Sequence, residues 1–380
     1  MSKRLRFIDV YRGLAILLML HGHTADALLN PGEKMSLAFQ IYTIFRGFTA
    51  PMFLFISGFA FSITTLKHID EYTRFSQKFL KRLRKFLFIV LLGYFLHLPY
   101  LSLKKLINET NFETLAQLFS SDVLQVIGVS LLSMQIALFF IKDKEKFAKL
   151  LFLFGIISFL ISPFLFTVDF SKFLPLFIAQ YLNTFHGSKF PLFPWIGYIL
   201  IGAYIGYKFM IESSRGNADA FFKKIFNFAI LSFPVLFASE YIFEILLNPN
   251  QFIIYSSPFL QSSRLAFVIV VFYMIWKIEK IVKLKVHPLQ IYGMESLFAY
   301  VFHLMLVYGS PINPFHSFYS LLGGMLSYVH VFGIFILLAL VVFAFSYALN
   351  FLKRTKNQTF DYFKYAAVSI ILLVFFINPH

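Results

Sequence analysis

A chain of 380 residues that is 59% hydrophobic and only 14% charged, with 54 Phe and a mean hydropathy of +0.74, is not a soluble domain, because repeated apolar runs of about 20 residues need lipid around them. The absence of Cys excludes disulfides, zinc–thiolate sites and thiol nucleophiles. The net charge of +16 invites a nucleic-acid partner, yet 26 of the 34 Lys and Arg fall in alternate connections and only 5 in the others, so the charge reads as topology instead.

In chain order the apolar runs fall at 7–29, 38–65, 85–103, 123–141, 147–168, 190–209, 222–247, 263–280, 287–308, 326–352 and 364–378. The expected fold class is therefore all-α, a polytopic integral membrane protein of about 11 (10–12) transmembrane helices at ~20 residues each. The basic loops put the N-terminus in the cytoplasm and the C-terminus outside. Within Lys67–Lys85 the stretch KFLKRLRKF predicts a surface-lying basic helix suited to anionic lipid headgroups, and 173–186 reads as a re-entrant or interfacial segment. One domain over 1–380 is expected, with membrane lipid as its surroundings and no nucleic-acid partner.

The first run, FIDVYRGLAILLMLHGHTADALL, crosses a bilayer yet carries Asp9, Arg12, His21, His23 and Asp26, each costly in hydrocarbon. At about 100° per residue, Asp9, Arg12, Met19, His23 and Asp26 share one face, whereas His21 falls on the opposite side. A stripe of carboxylate, guanidinium, imidazole and carboxylate thus runs along this helix.

In the second run, RGFTAPMFLFISGF, Arg46 and Ser57 fall about 20° apart around a continuous helix. Pro51 removes a backbone donor and predicts a bend there. The sixth run, FPLFPWIGYILIGAYIG, places Trp195 at its outer end and Gly202 and Gly206 at a spacing that lets helices approach closely. In the seventh and eighth, Glu240 and Glu244 are expected to pair with Arg264 across helices. In the ninth, Ser296, Tyr300 and His303 share a face, with Glu295 beside them.

By depth, His23, Arg46, Trp195 and His303 belong to the outer half and Asp9, Arg12, Ser57 and Glu295 to the inner half, which describes a polar cavity crossing much of the membrane. The same ionisable groups fit an enzyme cavity or a permeation path. No Walker loop, GxGxxG, HExxH or GxSxG is present, and no set of ligands suggests a metal.

Five segments together resemble the transmembrane acyltransferase superfamily, and within it the bacterial membrane proteins related to the catalytic domain of heparan-α-glucosaminide N-acetyltransferase. They are RFIDVYRGLAILLMLHGHT (6–24), RGFTAPMFLFISGFAFS (46–62), DVLQVIGVSLL (122–132), FPLFPWIGYILIGAYIG (190–206) and YGMESLFAYVFHLML (292–306), a motif-bearing core of about 6–306. A polysaccharide O-acyltransferase of the same superfamily begins in a similar way.

The resemblance implies transfer of an acyl group, usually acetyl from cytosolic acetyl-CoA, to a hydroxyl or amine of a glycan or cell-envelope acceptor at the outer side of a bacterial inner membrane. No metal is implied, and a homodimer is an allowed assembly. Carried over by position, His23 is the catalytic histidine, with Arg46 and Asp26 beside it in the catalytic set. Asp9, Arg12, Ser57, Trp195, Glu295, Ser296, Tyr300 and His303 then line the donor and acceptor sites. A proton-coupled transporter or flippase using the same stripe is the alternative.

Overall fold

A computed structural model describes residues 5–247, 251–281 and 288–378. Lys3, Arg4, Lys283 and Lys285 of the charge count, and the first residue of the run at 287–308, lie outside the described residues.

The long elements are all helices: α1 (Arg6–Leu28), α2 (Leu37–Arg46), α3 (Thr49–Lys67), α4 (Gln77–Leu96), α5 (Val123–Phe140), α6 (Lys144–Leu165), α7 (Leu192–Ser214), α8 (Ala218–Leu247), α9 (Pro258–Ile281), α10 (Pro288–Met294), α11 (Ser296–Tyr308), α12 (Tyr328–Thr355) and α13 (Asn357–Ile377). No strand occurs among the described residues. The protein is an integral membrane protein of the all-α class.

Seven helices are long and apolar enough to cross a membrane, or up to 8 if α10 and α11, bent by 89° at Glu295, form one broken span. By length and apolar character alone these are fewer than the roughly 11 expected. The three further apolar runs do fold as helices (α1, α4 and α7), but charged and polar residues dilute their apolar character: Asp9, Arg12 and Asp26 in α1, the KFLKRLRKF half of α4, and the Gly and Tyr positions of α7. The basic stretch is not a separate surface helix. It opens α4, and Arg82 within it is buried, donating to Thr65 Oγ1 at 2.8 Å beneath the Phe61 ring. The 173–186 stretch carries one short helical turn, Leu176–Ala179.

The chain packs as two compact units, one drawn from 1–49, 95–118 and 279–380, the other from 50–94 and 119–278. In the first, α1 lies against α10 with backbone in contact. A Cβ on Gly293 would stand 1.7 Å from the Asp9 carbonyl oxygen, and one on Gly13 would stand 1.8 Å from that of Leu289. Only Gly permits this approach, so a GLA step in one helix and a YGM step in the other are written for each other.

In the second unit the same device joins α3 to α7. A Cβ on Gly202 would meet the Phe55 carbonyl oxygen at 2.2 Å, as the glycine spacing in the sequence implies. Glu240 does not form the expected ion pair with Arg264. Its carboxylate instead accepts from the Ser257 hydroxyl and from the Leu260 backbone N–H at 3.1 Å, capping the start of α9 from α8. The free N–H groups of a helix N-terminus are a nearer and better-aligned partner than a guanidinium one turn further on.

Candidate functional site

The first unit holds most of the polar stripe. α1 forms because its apolar residues repeat at helical spacing with no internal Pro, and it buries Tyr11, Ala15, Ile16 and Leu20. That packing fixes the directions in which its two histidines point. His21 turns toward α2 and α12: its Nδ1 lies 2.6 Å from the Tyr42 hydroxyl, and its ring meets Phe335 edge-on at 4.9 Å. His23, two residues on, turns toward α11, where its Nδ1 lies 3.0 Å from Nε2 of His303.

The two imidazoles stack, with centroids 5.1 Å apart and planes 27° apart. His303 is fully buried, and its Nδ1 lies 2.8 Å from the carbonyl oxygen of Ala299, one turn earlier on the same helix. Tyr300, also buried, sets its ring edge-on to His303 at 5.6 Å. Tyr308 closes the other side: its ring is 5.6 Å from that of His23, and its hydroxyl donates to the His23 carbonyl oxygen at 3.4 Å.

One turn beyond His23, Asp26 forms an ion pair with Arg46, which ends α2. The Arg46 stem passes over Gly22, where a Cβ would lie 3.2 Å from its Cγ and Cδ, so the small residue between the two histidines makes room for the guanidinium arm. Lys34 donates to the Asp26 backbone carbonyl at 2.6 Å. The C-terminal end of α1 therefore carries two adjoining clusters, an imidazole pair and a carboxylate–guanidinium pair.

The N-terminal half of α1 lies by the α10–α11 break. Asp9 is buried, its backbone against Gly293, with Arg12 half-buried one turn further on. Glu295 stands at the break itself. Its Oε1 accepts from Asn350 Nδ2 at 2.9 Å, and its Oε2 forms an ion pair with Lys353 of α12. A bend of 89° strips backbone groups of helical partners, and a buried carboxylate tied to the neighbouring helix holds the two halves at that angle. Ser296, half-buried, opens α11.

Ser57 and Trp195 belong to the second unit. The Ser57 hydroxyl donates back to the Phe53 carbonyl at 2.7 Å within α3, and the Trp195 ring packs on Phe190 and Tyr198 at 4.7 and 6.0 Å. Two turn residues, Gly47 and Phe48, follow Arg46 at the end of α2, and Ser57 lies within α3. Pro51 then sits in the first turn of α3, where its missing N–H costs nothing.

Sequence reasoning missed Tyr42, Tyr308, Asn350, Lys353 and the Ala299 carbonyl. A Lys in the last turn of a span and Tyr at span ends were readable as polar anchors, but nothing in the sequence names their partners. Among the described residues no group of three or more His, Asp or Glu is arranged to hold a metal ion.

No curated protein matches the chain. A family model does match, over residues 4–233, described as heparan-alpha-glucosaminide N-acetyltransferase, catalytic. The matched stretch contains Asp9, Arg12, His23, Asp26, Arg46, Ser57 and Trp195 and ends before α11. It covers more than half of the chain, and the protein therefore belongs to the heparan-alpha-glucosaminide N-acetyltransferase catalytic family.

Proposed function

We propose that the protein is a membrane acyltransferase that moves an acetyl group from cytosolic acetyl-CoA to a hydroxyl or amine of a glycan or cell-envelope acceptor at the outer side of a bacterial inner membrane. The observation that carries this reading is the imidazole of His23, held against a second imidazole beside a guanidinium in a chain of the acetyltransferase family.

The chemistry follows from those groups. An acceptor O–H or N–H is a weak nucleophile until its proton is removed, and a neutral imidazole is the side chain suited to take it near neutral pH. The acceptor oxygen or nitrogen then attacks the thioester carbonyl, and negative charge builds on the carbonyl oxygen. A guanidinium stabilises such an oxyanion, or holds a substrate phosphate, and Arg46 is kept in place for either task by Asp26. Collapse breaks the C–S bond, and the proton returns from the imidazolium to the CoA sulfur. Attack by His23 itself, through an acetyl-imidazole, is the other route that the same residues support.

Asp9 and Arg12 sit toward the donor side in this scheme and Tyr300 toward the acceptor. Glu295 supports the wall by holding the α10–α11 bend. Incubation of the purified protein in nanodiscs with radiolabelled acetyl-CoA and extracted envelope glycans tests the reading. Release of CoA with label on an acceptor supports it, and failure to bind acetyl-CoA at millimolar concentration overturns it.

A proton-coupled transporter or flippase is the second reading, and the broken α10–α11 pair favours it, because discontinuous helices line many transport sites. It requires substrate-dependent proton uptake into proteoliposomes in the absence of acetyl-CoA.

A further inference from the structure

We propose that His303 is a positioning residue that imposes one neutral tautomer on His23, with the proton on Nδ1 and the lone pair on Nε2. The proposal rests on the acyltransferase reading for its purpose, but its geometry stands independently of it.

The assignment follows from donors and acceptors alone. A backbone carbonyl accepts and never donates, so the 2.8 Å contact between His303 Nδ1 and the Ala299 oxygen requires a hydrogen on His303 Nδ1. His303 is fully buried, and its hydrogen-bond partners among the described residues are that carbonyl and His23, with no carboxylate. Burying an imidazolium in such surroundings is costly, so His303 is neutral and its Nε2 carries a lone pair. The 3.0 Å contact to His23 Nδ1 can then be made in one way: His23 Nδ1–H donates and His303 Nε2 accepts. Neutral His23 has one ring proton, so its Nε2 is the basic nitrogen.

Direction therefore runs along the chain from His23 Nδ1–H to His303 Nε2, and from His303 Nδ1–H to the Ala299 carbonyl. This ordering has two consequences. In water the neutral imidazole side chain prefers its proton on Nε2, so an unaided His23 would present mostly the wrong nitrogen as base. Second, when His23 Nε2 accepts the acceptor proton, the resulting imidazolium is already hydrogen-bonded through Nδ1, and the charge-assisted bond to His303 strengthens as the proton arrives. The acceptor loses H⁺ to His23 Nε2, the new C–O or C–N bond forms, the C–S bond breaks, and the same proton passes to the CoA sulfur. His303 neither gains nor loses a proton over the cycle.

A second imidazole thus fills the role that a carboxylate fills in other histidine-dependent enzymes, without placing a net charge inside the membrane. The separation of 280 positions along the chain hides this relationship from any local motif. Tyr300 and Tyr308 flank the pair and keep the rings stacked.

The test is 15N NMR of histidine-labelled protein in nanodiscs, with His23 assigned from the signal lost in His23→Gln. The expected spectrum has His23 Nδ1 protonated and Nε2 unprotonated in the neutral form, with reversion toward Nε2–H in His303→Phe. His23 carrying its neutral proton on Nε2 in the wild type overturns the proposal, whether or not the protein turns over acetyl-CoA. Where turnover is measurable, His303→Phe should lower kcat at least about tenfold with little change in KM for acetyl-CoA. His303→Gln, whose amide oxygen accepts the same bond, should recover most of it. Turnover unchanged in His303→Phe overturns the positioning role and leaves the acyltransferase reading standing. Absence of turnover in every form removes that reading and leaves the tautomer result to decide the geometry.

Discussion

Histidines two residues apart on a helix point about 160° away from each other, and α1 uses that fact to give them different surroundings. His21 is wedged between Tyr42 and Phe335, while His23 meets His303. The Asp26–Arg46 pair beside them is partly open, at 40% and 27% side-chain exposure, so its contribution to stability is small, under about 1 kcal/mol. Its expected effect is on chemistry. Asp26→Asn and Arg46→Lys should each reduce acetyl transfer about tenfold or more by releasing a fixed guanidinium fork, with melting temperatures within a few degrees of wild type in a thermal-shift assay. A large loss of melting temperature in both would instead make the pair structural. The residue types of this site were legible, because ionisable groups inside an apolar run stand out. Their pairing was not: His303, Tyr308 and Lys353 reach their partners only through folding.

At the scale of elements, two packing contacts depend on a missing Cβ. Gly293→Ala forces α10 away from the α1 backbone and should destabilise by about 1–3 kcal/mol, whereas Gly333→Ala, on an α12 site with open space around it, should be neutral or slightly stabilising. Melting temperatures of the two variants in one detergent decide this, and equal values would contradict the close approach.

The connection between α6 and α7 carries a second local test. There Asp169 accepts from the Ser171 hydroxyl at 2.7 Å and lies 3.0 Å from His186 Nε2. The Ser171 hydroxyl bond, and then the His186 contact, hold the Asp169 carboxyl below the usual carboxylate range against a desolvation that works the other way. A carboxyl depressed in the folded state contributes its stabilisation above the unfolded value near 4 and loses it as pH falls through the folded value. Limited proteolysis of this segment should therefore stay slow at neutral pH and rise below about pH 4, and Asp169→Asn should flatten that dependence. Helix positions were readable from apolar periodicity. The break at Glu295 was not, since no Pro or Gly stands at 295 and the bend is held by Lys353 and Asn350 from a distant helix.

For the molecule as a whole, composition alone announced a helical membrane protein, and the charge distribution proposed its orientation. The number of crossings is less legible, because α1, α4 and α7 are helices whose polar residues keep them from standing out as spans by apolar character alone. Because the chain has no Cys, single cysteines introduced at Lys81, Lys356 and Ser171 report orientation without background. A membrane-impermeant maleimide applied to intact cells should label the Ser171 position and spare the other two until the membrane is opened. The opposite pattern would reverse the topology and place the His23 end of α1 at the cytoplasm.

Sidedness matters because the chemistry assigned to His23 joins a cytosolic donor to an outer acceptor, and the His23 to His21 contrast tests that chemistry most directly. Rates of CoA release from acetyl-CoA should fall by about 100-fold or more in His23→Ala, which removes the base, and stay within about threefold of wild type in His21→Ala, which removes an aromatic contact. Full activity in His23→Ala, or a selective loss in His21→Ala, would contradict the assignment of His23 as the base.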